Sequence, residues 1–390
     1  MNQFVQPPIG VPPPPPSMPS APPPLPAKLD FVGDRKSFLQ LVTRGAGLEL
    51  VTLGFYRFWL VTDIRRHLWA NTVIDGDAAE YTGRGRELLI GFLIALAILV
   101  PIYLAYFLVS VEAEHLQALA SIPLVASFYV FGQFAIYRAR RYRLTRTVWR
   151  GVRLWMDGWG WIYAWWASVW LLLVIVTLGL AMPWRAAALE RYKMQHSWYG
   201  DLQGNFEGKG SELFKRIWWL WLVTPFALLM TPALPFLYGY YKAVEWRWWV
   251  SGIRFGDVSA ESKLESDALI GLYWKTIGWY FLLVIGFAIV VGGAFAVVAG
   301  LGGVTTEELA APDGILKAAP LLVVTVVSYL ALALALSVVV RLYLTRDVWA
   351  TVLSTTVVTN LAAAADVAAR GDLATALGEG IADGLDVAGF

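Results

Sequence analysis

The sequence contains no cysteine, and it has only three histidines: His67, His115 and His196. The absence of cysteine excludes disulfide bonds, iron–sulfur clusters and a thiol nucleophile. The three histidines lie in different segments, and no two of them have the spacing of zinc ligands. We therefore predict no metal site and no cofactor in this chain.

Charged residues are also scarce. They make up 15% of the 390 residues, whereas hydrophobic residues make up 58% and the mean hydropathy is +0.57. A soluble globular protein carries about 25% charged residues. So many apolar side chains exceed what one soluble core can bury, which favours a protein that lies in a lipid bilayer. Twenty tryptophans fit this interpretation, because the indole ring prefers the boundary between membrane and water.

Four long apolar segments form two consecutive pairs. The first pair is 88–110 with 116–137, and the second is 276–301 with 318–340. About 20 apolar residues span a bilayer, so each pair predicts a transmembrane hairpin. Seven arginines and no acidic residue follow the first pair, and two arginines follow the second within nine residues. Because basic residues stay on the cytoplasmic side, we place these ends and both chain termini in the cytoplasm.

Sequence repeats indicate an internal duplication. Residues 141–149 (RYRLTRTVW) align with 341–349 (RLYLTRDVW), and 52–90 aligns without a gap with 177–215. The second alignment pairs TLGFYRFW with TLGLAMPW, where an apolar helix meets a permissive glycine and then a basic amphipathic helix. We call this arrangement the elbow unit, and a third, weaker copy lies at 233–256. One arginine holds the same place in the three copies: Arg66, Arg191 and Arg247.

These patterns predict an all-α polytopic membrane protein with internal repeats. It has about six transmembrane helices, amphipathic interfacial helices and a few short β-strands on the cytoplasmic side. The fifth and sixth helices are 157–182 and 217–241, which have basic residues on both flanks, so a re-entrant or tilted position stays open. Segment 37–54 contains Arg44 and Glu49 and is interpreted as membrane-associated.

The predicted domain organisation has four parts. They are a disordered proline-rich arm at 1–27, a first membrane repeat at 28–148, a second membrane region at 149–350, and a cytoplasmic tail at 351–390. Each membrane part contains one transmembrane hairpin, with one elbow unit in the first and two in the second. Twelve of residues 7–26 are proline, and such a run forms polyproline II rather than a packed core.

No catalytic constellation is recognisable in the sequence. The Gly-x-Gly steps in GRGRE (83–87) and GKGSE (208–212) lack the spacing and the Lys-Ser/Thr pair of a phosphate loop. Neither a Gly-x-Ser-x-Gly motif nor HExxH occurs. We therefore predict no catalytic residue and no enzyme. Nucleic-acid binding is not expected either, because the arginines of 138–153 adjoin a membrane helix and are explained by topology.

Four charged residues are candidates for ligand binding: Arg66, Arg191, Arg247 and Glu49. The three repeated arginines could hold an anionic lipid headgroup or a small molecule. The alternative is that each arginine anchors its helix at the lipid surface. Glu49 lies in an apolar stretch, where an acidic residue often has a function, and the alternative is a loose pair with Arg44.

Several long motifs are shared with a known family. They are TLGFYRFW…RRHLWANT, RYRLTRTVWRG, TLGLAMPWRAAALERYKMQHSWYGD and GEGIADGLDVAGF. With these motifs, the chain from residue 28 to 390 resembles the YjgN-like family of uncharacterised bacterial inner-membrane proteins. The resemblance implies a bacterial source and a multi-pass location in the inner membrane, and it implies no activity. The proline-rich arm lies outside it.

The function favoured by these observations is the binding or transport of a small molecule or lipid. The support comes from the pseudo-symmetric halves, the repeated arginines and the prolines that interrupt apolar helices. Broken helices often line transporter sites, and these prolines are Pro101, Pro225, Pro232 and Pro235. The alternative is a non-enzymatic structural or partner-binding membrane protein, which contacts a protein partner through the proline-rich arm or the acidic tail.

Overall fold

A computed structural model describes residues 26–112, 117–229, 233–302, 314–376 and 382. The chain alternates between short strands and pairs of helices, and it completes five units of strand, helix, helix, strand. The predicted proline-rich arm, apart from its last two residues, and Pro232 lie outside the described residues.

The first three units have the following bounds. Unit 1 contains β1 (Ala27–Phe31), α1 (Arg35–Val51), α2 (Arg57–Ala70) and β2 (Thr72–Ile74). Unit 2 contains β3 (Asp77–Ala78), β4 (Glu80–Tyr81), α3 (Gly85–Glu112), α4 (Gln117–Thr145) and β5 (Thr147–Trp149). Unit 3 contains β6 (Val152–Met156), α5 (Gly160–Val176), α6 (Met182–Gln195) and β7 (Ser197–Tyr199).

The last two units continue the same order. Unit 4 contains β8 (Leu202–Phe206), α7 (Gly210–Leu229), α8 (Leu234–Gly252) and β9 (Ile253–Phe255). Unit 5 contains β10 (Val258–Ser262), α9 (Ile270–Gly302), α10 (Gly314–Val340), a π-helical segment (Arg341–Asp347), α11 (Val348–Ser354) and β11 (Thr356–Thr359). A short 3₁₀ helix, Leu361–Ala364, follows β11.

All eleven strands belong to one antiparallel sheet that nearly closes on itself. The strand order is β3-β2-β1-β11-β10-β9-β8-β7-β6-β5-β4. The first and last strands of the chain pair with each other, with Ala27 opposite Val358. The two edge strands, β3 and β4, are separated along the chain by Ala79 alone. We call this sheet the ring, and each pair of helices begins and ends on it.

The prediction of an all-α fold is therefore wrong. The predicted few short strands are eleven strands in one sheet, which positions every helix pair. Each strand has only two to five residues, whereas the alternation of apolar and polar residues is recognised over about four to eight. The pairing of β1 with β11 also joins opposite ends of the chain, which no local pattern can indicate.

The prediction of six transmembrane helices is also wrong. Four described helical segments are long and apolar enough to cross a membrane: Gly85–Leu108, Ile122–Thr145, Ile270–Val297 and Leu321–Ser354. The additional segment at 157–182 contains α5, whose 17 residues reach about 26 Å, less than the roughly 30 Å of hydrocarbon. The segment at 217–241 combines parts of two helices, because α7 ends at Leu229 and α8 begins at Leu234. Hydropathy alone could not detect these reversals of direction.

The repeated TLG motif forms the tip of the helix pairs in units 1 and 3. In unit 1 the Thr52 hydroxyl accepts a hydrogen bond from the Tyr56 amide at 2.9 Å, and Leu53 and Gly54 have φ of 52° and 89°. Left-handed backbone of this kind ends a helix and reverses the chain. In unit 3 the Thr177 hydroxyl accepts a hydrogen bond from the Ala181 amide at 3.1 Å, and Leu178 and Gly179 have φ of 51° and 92°. Leu53 and Leu178 are 89% and 77% exposed, so both tips present an apolar side chain.

The repeated arginines connect neighbouring units. Each donates a hydrogen bond, over 2.8 to 3.2 Å, to a backbone carbonyl 17 residues later, where the next unit passes from strand to helix. The pairs are Arg66 with Gly83, Arg191 with Gly208, and Arg247 with Leu264. Arg346 makes the corresponding contact across the ring closure, because it donates to the Gly33 carbonyl at 2.5 Å.

The segment that follows β11 fills the centre of the ring. Leu361, Ala364 and Val367 pack against side chains that come from every unit. These side chains are Ile74, Trp149, Val152, Leu154, Tyr199, Leu202, Phe255 and Val258. Since strands on all sides contribute to one cluster, the cluster lies inside the ring. We call residues 361–376 the tail segment; after its 3₁₀ turn it contains no further helix or strand.

The tail segment then leaves the ring between α3 and α4. The Ala374 amide donates to the Thr145 hydroxyl at 3.3 Å, and Arg138 donates to the Thr375 hydroxyl at 3.2 Å. Ala376 contacts Gly91 of α3. Ala382 is fully buried in a cluster with small residues of both helices, which are Ala95, Ala135 and Ala139. The hairpin of α3 and α4 is thus packed around the tail segment and Ala382.

Candidate anion-binding site

A polar cavity of about 1150 Å³ lies where units 3, 4 and 5 meet. Its walls come from the loop between β8 and α7, the end of α8, and β10. The charged lining residues are Arg191, Glu207, Lys209, Glu212, Arg216, Arg247, Arg254, Glu261 and Lys263. Six of these nine side chains are cationic and three are acidic, so the cavity has an excess of positive charge.

Aromatic and glycine residues position the cavity loop. Phe206 is buried at the end of β8, with its ring edge-on to Trp248 at 5.0 Å between centroids. The Trp248 indole nitrogen donates to the Lys209 carbonyl at 3.1 Å, which holds the loop against α8. Gly210 begins α7 so close to Trp184 that a Cβ would lie 2.6 Å from the Trp184 Cα. A side chain at this position would push the cationic loop away from the cavity.

Half of the cations in the cavity already have partners. Arg191 and Arg247 donate to the carbonyls described above, and Arg254 pairs with Glu207 at 3.0 Å. Lys209, Arg216 and Lys263 are exposed, and none of them forms an ion pair within the described part of the chain. The start of α7, which borders the cavity at Lys209 and Glu212, adds the positive end of a helix dipole. This combination attracts an anion.

Glu190 precedes Arg191 in the chain, but it does not line the cavity and does not reduce the excess of positive charge there. Glu190 is buried, and its two carboxylate oxygens each lie 2.6 Å from a cation, Arg140 Nη1 and Lys193 Nζ. Burial alone raises the pKa of Glu190, but the charges of Arg140 and Lys193 outweigh burial and lower the pKa to about 2. Glu190 therefore stays ionised between its two partners and joins α4 to α6.

This triad predicts an acid-sensitive stability. Because the pKa of Glu190 lies below its ordinary value of 4.5, its stabilising contribution is present above about pH 4.5 and is lost as the pH falls towards 2. We expect the contribution to be about 3 kcal/mol. Chemical unfolding at pH 7 and pH 3 should show that Glu190→Gln is less stable at pH 7 and less sensitive to acid. Glu261→Gln, at an exposed position, is the control, and an equal response of both variants would contradict the assignment.

The structure brings two of the four predicted site residues together. Arg191 and Arg247 line the cavity, whereas Arg66 and Glu49 do not. Arg66 is half-exposed and bonds to Gly83 and to Asp63 of its own helix. Ligand binding by these residues stays a prediction. The contacts show that each of the three arginines also joins two units.

Glu49 is paired with a distant arginine rather than with Arg44. Its carboxylate accepts two hydrogen bonds from Arg341, at 3.0 and 3.2 Å. Both side chains are largely buried, with 13% exposure for Glu49 and 18% for Arg341. The π-helical segment begins at Arg341 and ends at Asp347. Asp347 pairs with Arg35, and this pair also joins unit 5 to unit 1.

Sequence reasoning missed the cations that remain unpaired in the cavity. Lys209 lies in the GKGSE stretch that lacks the pattern of a phosphate loop, and Lys263 follows a strand that was not predicted. Arg216 lies nearly two turns into α7. The usable signal was the alignment of GKGSE with GRGRE, which marks the same passage from strand to helix in two units. Across the described residues, no three His, Asp or Glu side chains lie close enough to hold a metal ion.

Two overlapping stretches of the chain, residues 26–238 and 223–379, match a family model described as "Bacterial protein of unknown function (DUF898)". These stretches together cover nearly all of the described residues. No curated protein and no solved structure matches the chain significantly.

Proposed function

The chain belongs to this bacterial family of unknown function, and from that premise we propose that it is an inner-membrane protein that binds an anion. The anion is a phosphate or carboxylate group, carried by a small molecule or by a lipid headgroup. The observation that carries the proposal is the cavity with six cationic side chains, three of which have no ionic partner among the described residues.

The four apolar helices support a multi-pass membrane location. The orientation follows from the arginines of 138–153, which end α4 and lead into β5 and β6 of the ring. Because basic residues remain on the cytoplasmic side, the ring and its cavity face the cytoplasm, together with both termini. The binding site would then be supplied from the cytoplasm or from the inner leaflet of the membrane.

Transport of the bound anion is the further step of this proposal. Its support is the prolines inside apolar helices, which include Pro101 in α3, Pro123 in α4 and Pro225 in α7. Pro235 gives no such support, because it stands in the first turn of α8, where proline is well tolerated. The ring itself is filled by the tail segment. Passage through its centre would therefore require that segment to move, whereas binding at the cavity does not.

We also propose that the five units arose by internal duplication. The support is their common order of strand, helix, helix and strand, together with the arginine-to-carbonyl contact at a spacing of 17 residues in three of them. Duplicated units would have diverged in function, because within the described residues only units 2 and 5 contain candidate membrane spans.

The alternative of a partner-binding protein now rests on the proline-rich arm. The acidic tail, its other support, makes contacts within its own chain as far as residue 376. Deletion of residues 1–25 distinguishes the two proposals. We expect it to leave anion binding unchanged, whereas a protein that acts as a scaffold would lose its co-purifying partner.

Anion binding is tested by removal of the three unpaired cations. The variant is Lys209→Gln, Arg216→Gln and Lys263→Gln in one chain, in lipid nanodiscs. A hydrogen bond to a charged group contributes about 1.5–3 kcal/mol, so we expect at least a tenfold loss of affinity for inorganic phosphate by isothermal titration calorimetry. Binding should also weaken with added salt.

The control removes the same amount of charge outside the cavity. It combines Lys36→Gln, Arg84→Gln and Lys215→Gln, where Arg84 is the counterpart of Lys209 in unit 2 and Lys215 precedes Arg216. We expect this variant to bind phosphate like the wild type. Native mass spectrometry after gentle extraction then shows whether a lipid or a soluble anion is retained. Equal losses in the two triple variants, or no phosphate binding by the wild type, would refute the proposal.

A further inference from the structure

A second cavity, of about 770 Å³, adjoins the cationic one. The two cavities share three lining residues, Asn205, Glu207 and Arg254. The second cavity differs in chemistry, because amide and imidazole groups form most of its polar wall. Its remaining lining residues are Asp157, Gln195, His196, Gln203, Gly204 and Gly256.

The ion pair of Arg254 with Glu207 lies where the two cavities meet. Arg254 Nε lies 3.0 Å from Glu207 Oε2, and Arg254 Nη1 donates to the Ser251 and Ile253 carbonyls at 2.9 and 2.8 Å. These bonds hold the guanidinium in one position on β9. A molecule that extends from one cavity to the other would pass along this pair.

Two residues that line the second cavity, Asp157 and His196, carry hydrogen-bond acceptors that lack a donor among the described residues. Asp157 Oδ1 is buried, and no described group donates to it. His196 Nδ1 lies 2.7 Å from the Tyr192 carbonyl, which can only accept, so Nδ1 carries the hydrogen and Nε2 is the acceptor of the neutral ring. A buried acceptor without a partner is rare in native proteins and calls for a ligand or water.

The amide side chains add groups of both kinds. Gln203 Nε2 donates to the Gln195 carbonyl at 2.7 Å, which leaves the Gln203 Oε1 as an acceptor. Asn205 Oδ1 accepts from the Phe206 amide at 2.8 Å, which leaves the Asn205 Nδ2 as a donor. Hydroxyl groups satisfy such a mixed wall, because each can donate to one neighbour and accept from another.

We propose that the ligand is an anionic polyhydroxylated molecule, of the sugar phosphate or polyol phosphate class. Its phosphate lies in the cationic cavity near Lys209, Arg216 and Lys263, and its hydroxyl groups lie against Asp157, His196 and Gln203. This inference rests on the proposed anion binding and adds the chemistry of the rest of the ligand. A soluble sugar phosphate and a lipid headgroup with free hydroxyls share this chemistry.

The test compares three probes by isothermal titration calorimetry of the full chain in nanodiscs. The probes are inorganic phosphate, glucose 6-phosphate and glucose. We expect the wild type to bind glucose 6-phosphate at least tenfold more tightly than phosphate. Asp157→Asn and, separately, Gln203→Met should reduce this preference to threefold or less and leave phosphate affinity within twofold. Gln203 is exposed, so its variant remains informative if Asp157→Asn does not fold.

The outcomes separate the two levels of the proposal. If phosphate binds but glucose 6-phosphate binds no more tightly, the inference is wrong and the anion site stands. If phosphate does not bind, the anion site itself is wrong. Nanodiscs with and without phosphatidylglycerol identify the source of the ligand, since competition by this lipid assigns the site to a headgroup and no competition assigns it to a soluble molecule.

Discussion

Truncation of the chain after Asn360 is expected to prevent folding. The truncated protein would lose the tail segment, whose Leu361, Ala364 and Val367 fill the ring. Full burial of a leucine or valine side chain stabilises a protein by about 1.5–3 kcal/mol, so the partly buried Leu361 and Val367 each contribute up to that amount. Their combined loss, together with the exposure of Trp149 and Tyr199, is comparable to a total stability of about 5–15 kcal/mol. Yield and thermal unfolding in detergent measure the effect.

A pair of single substitutions gives a sharper form of this prediction. Ala364→Asp places a charge in the centre of the ring, where Ala364 is 6% exposed, and we expect a loss of about 3 kcal/mol or more. Ala363→Asp introduces the same side chain at the preceding, exposed position, and we expect a change within about 0.5 kcal/mol. Similar melting temperatures for the two variants would show that the tail segment does not hold the ring together.

Loss of the partner of Glu49 is expected to have the second-largest effect. Arg341→Gln leaves the Glu49 carboxylate largely buried and without its two hydrogen bonds. Removal of one member of a buried ion pair costs about 3–5 kcal/mol, and the partial exposure of this pair favours the lower end of that range. The free energy of unfolding in denaturant measures the loss.

The double variant identifies the cause. Glu49→Gln with Arg341→Gln should recover most of the stability, because no uncompensated charge remains, and the double-mutant cycle should give a coupling energy of about 2 kcal/mol. Arg44→Gln is the control, because Arg44 is the nearer arginine in the sequence but is exposed in the structure. If Arg44→Gln lowered the free energy of unfolding more than Arg341→Gln, the pairing of Glu49 with Arg44 that its sequence neighbourhood suggests would be correct instead.

The long apolar helices could be predicted because their signal is local. The apolar segments 88–110 and 276–301 lie within α3 and α9, and the length of an apolar run needs no knowledge of the rest of the fold. The family could also be identified from the sequence, and the match to the family model confirms it. The ring could not be predicted, because strands as short as Glu80–Tyr81 carry too few residues for a periodic pattern.

The candidate site shows the same limit. The repeats correctly marked Arg191 and Arg247 as equivalent positions, but sequence spacing could not show that only these two line one cavity. Lys263 reaches the cavity through β10, a strand that local patterns do not reveal. The partner of Glu49 is almost 300 residues away along the chain, whereas the sequence suggests the neighbour five residues away.

The pairing of β1 with β11 also has a consequence for biosynthesis. Ala27 leaves the ribosome roughly 330 residues before its neighbour Val358 does. At about 5–20 residues per second, the nascent chain spends some tens of seconds with the edge of β1 open. An open edge can pair with another chain, so two adjacent nascent chains on one messenger could exchange strands. A chain that stops before β11 would therefore keep an unpaired strand edge on β1 and an empty centre in the ring.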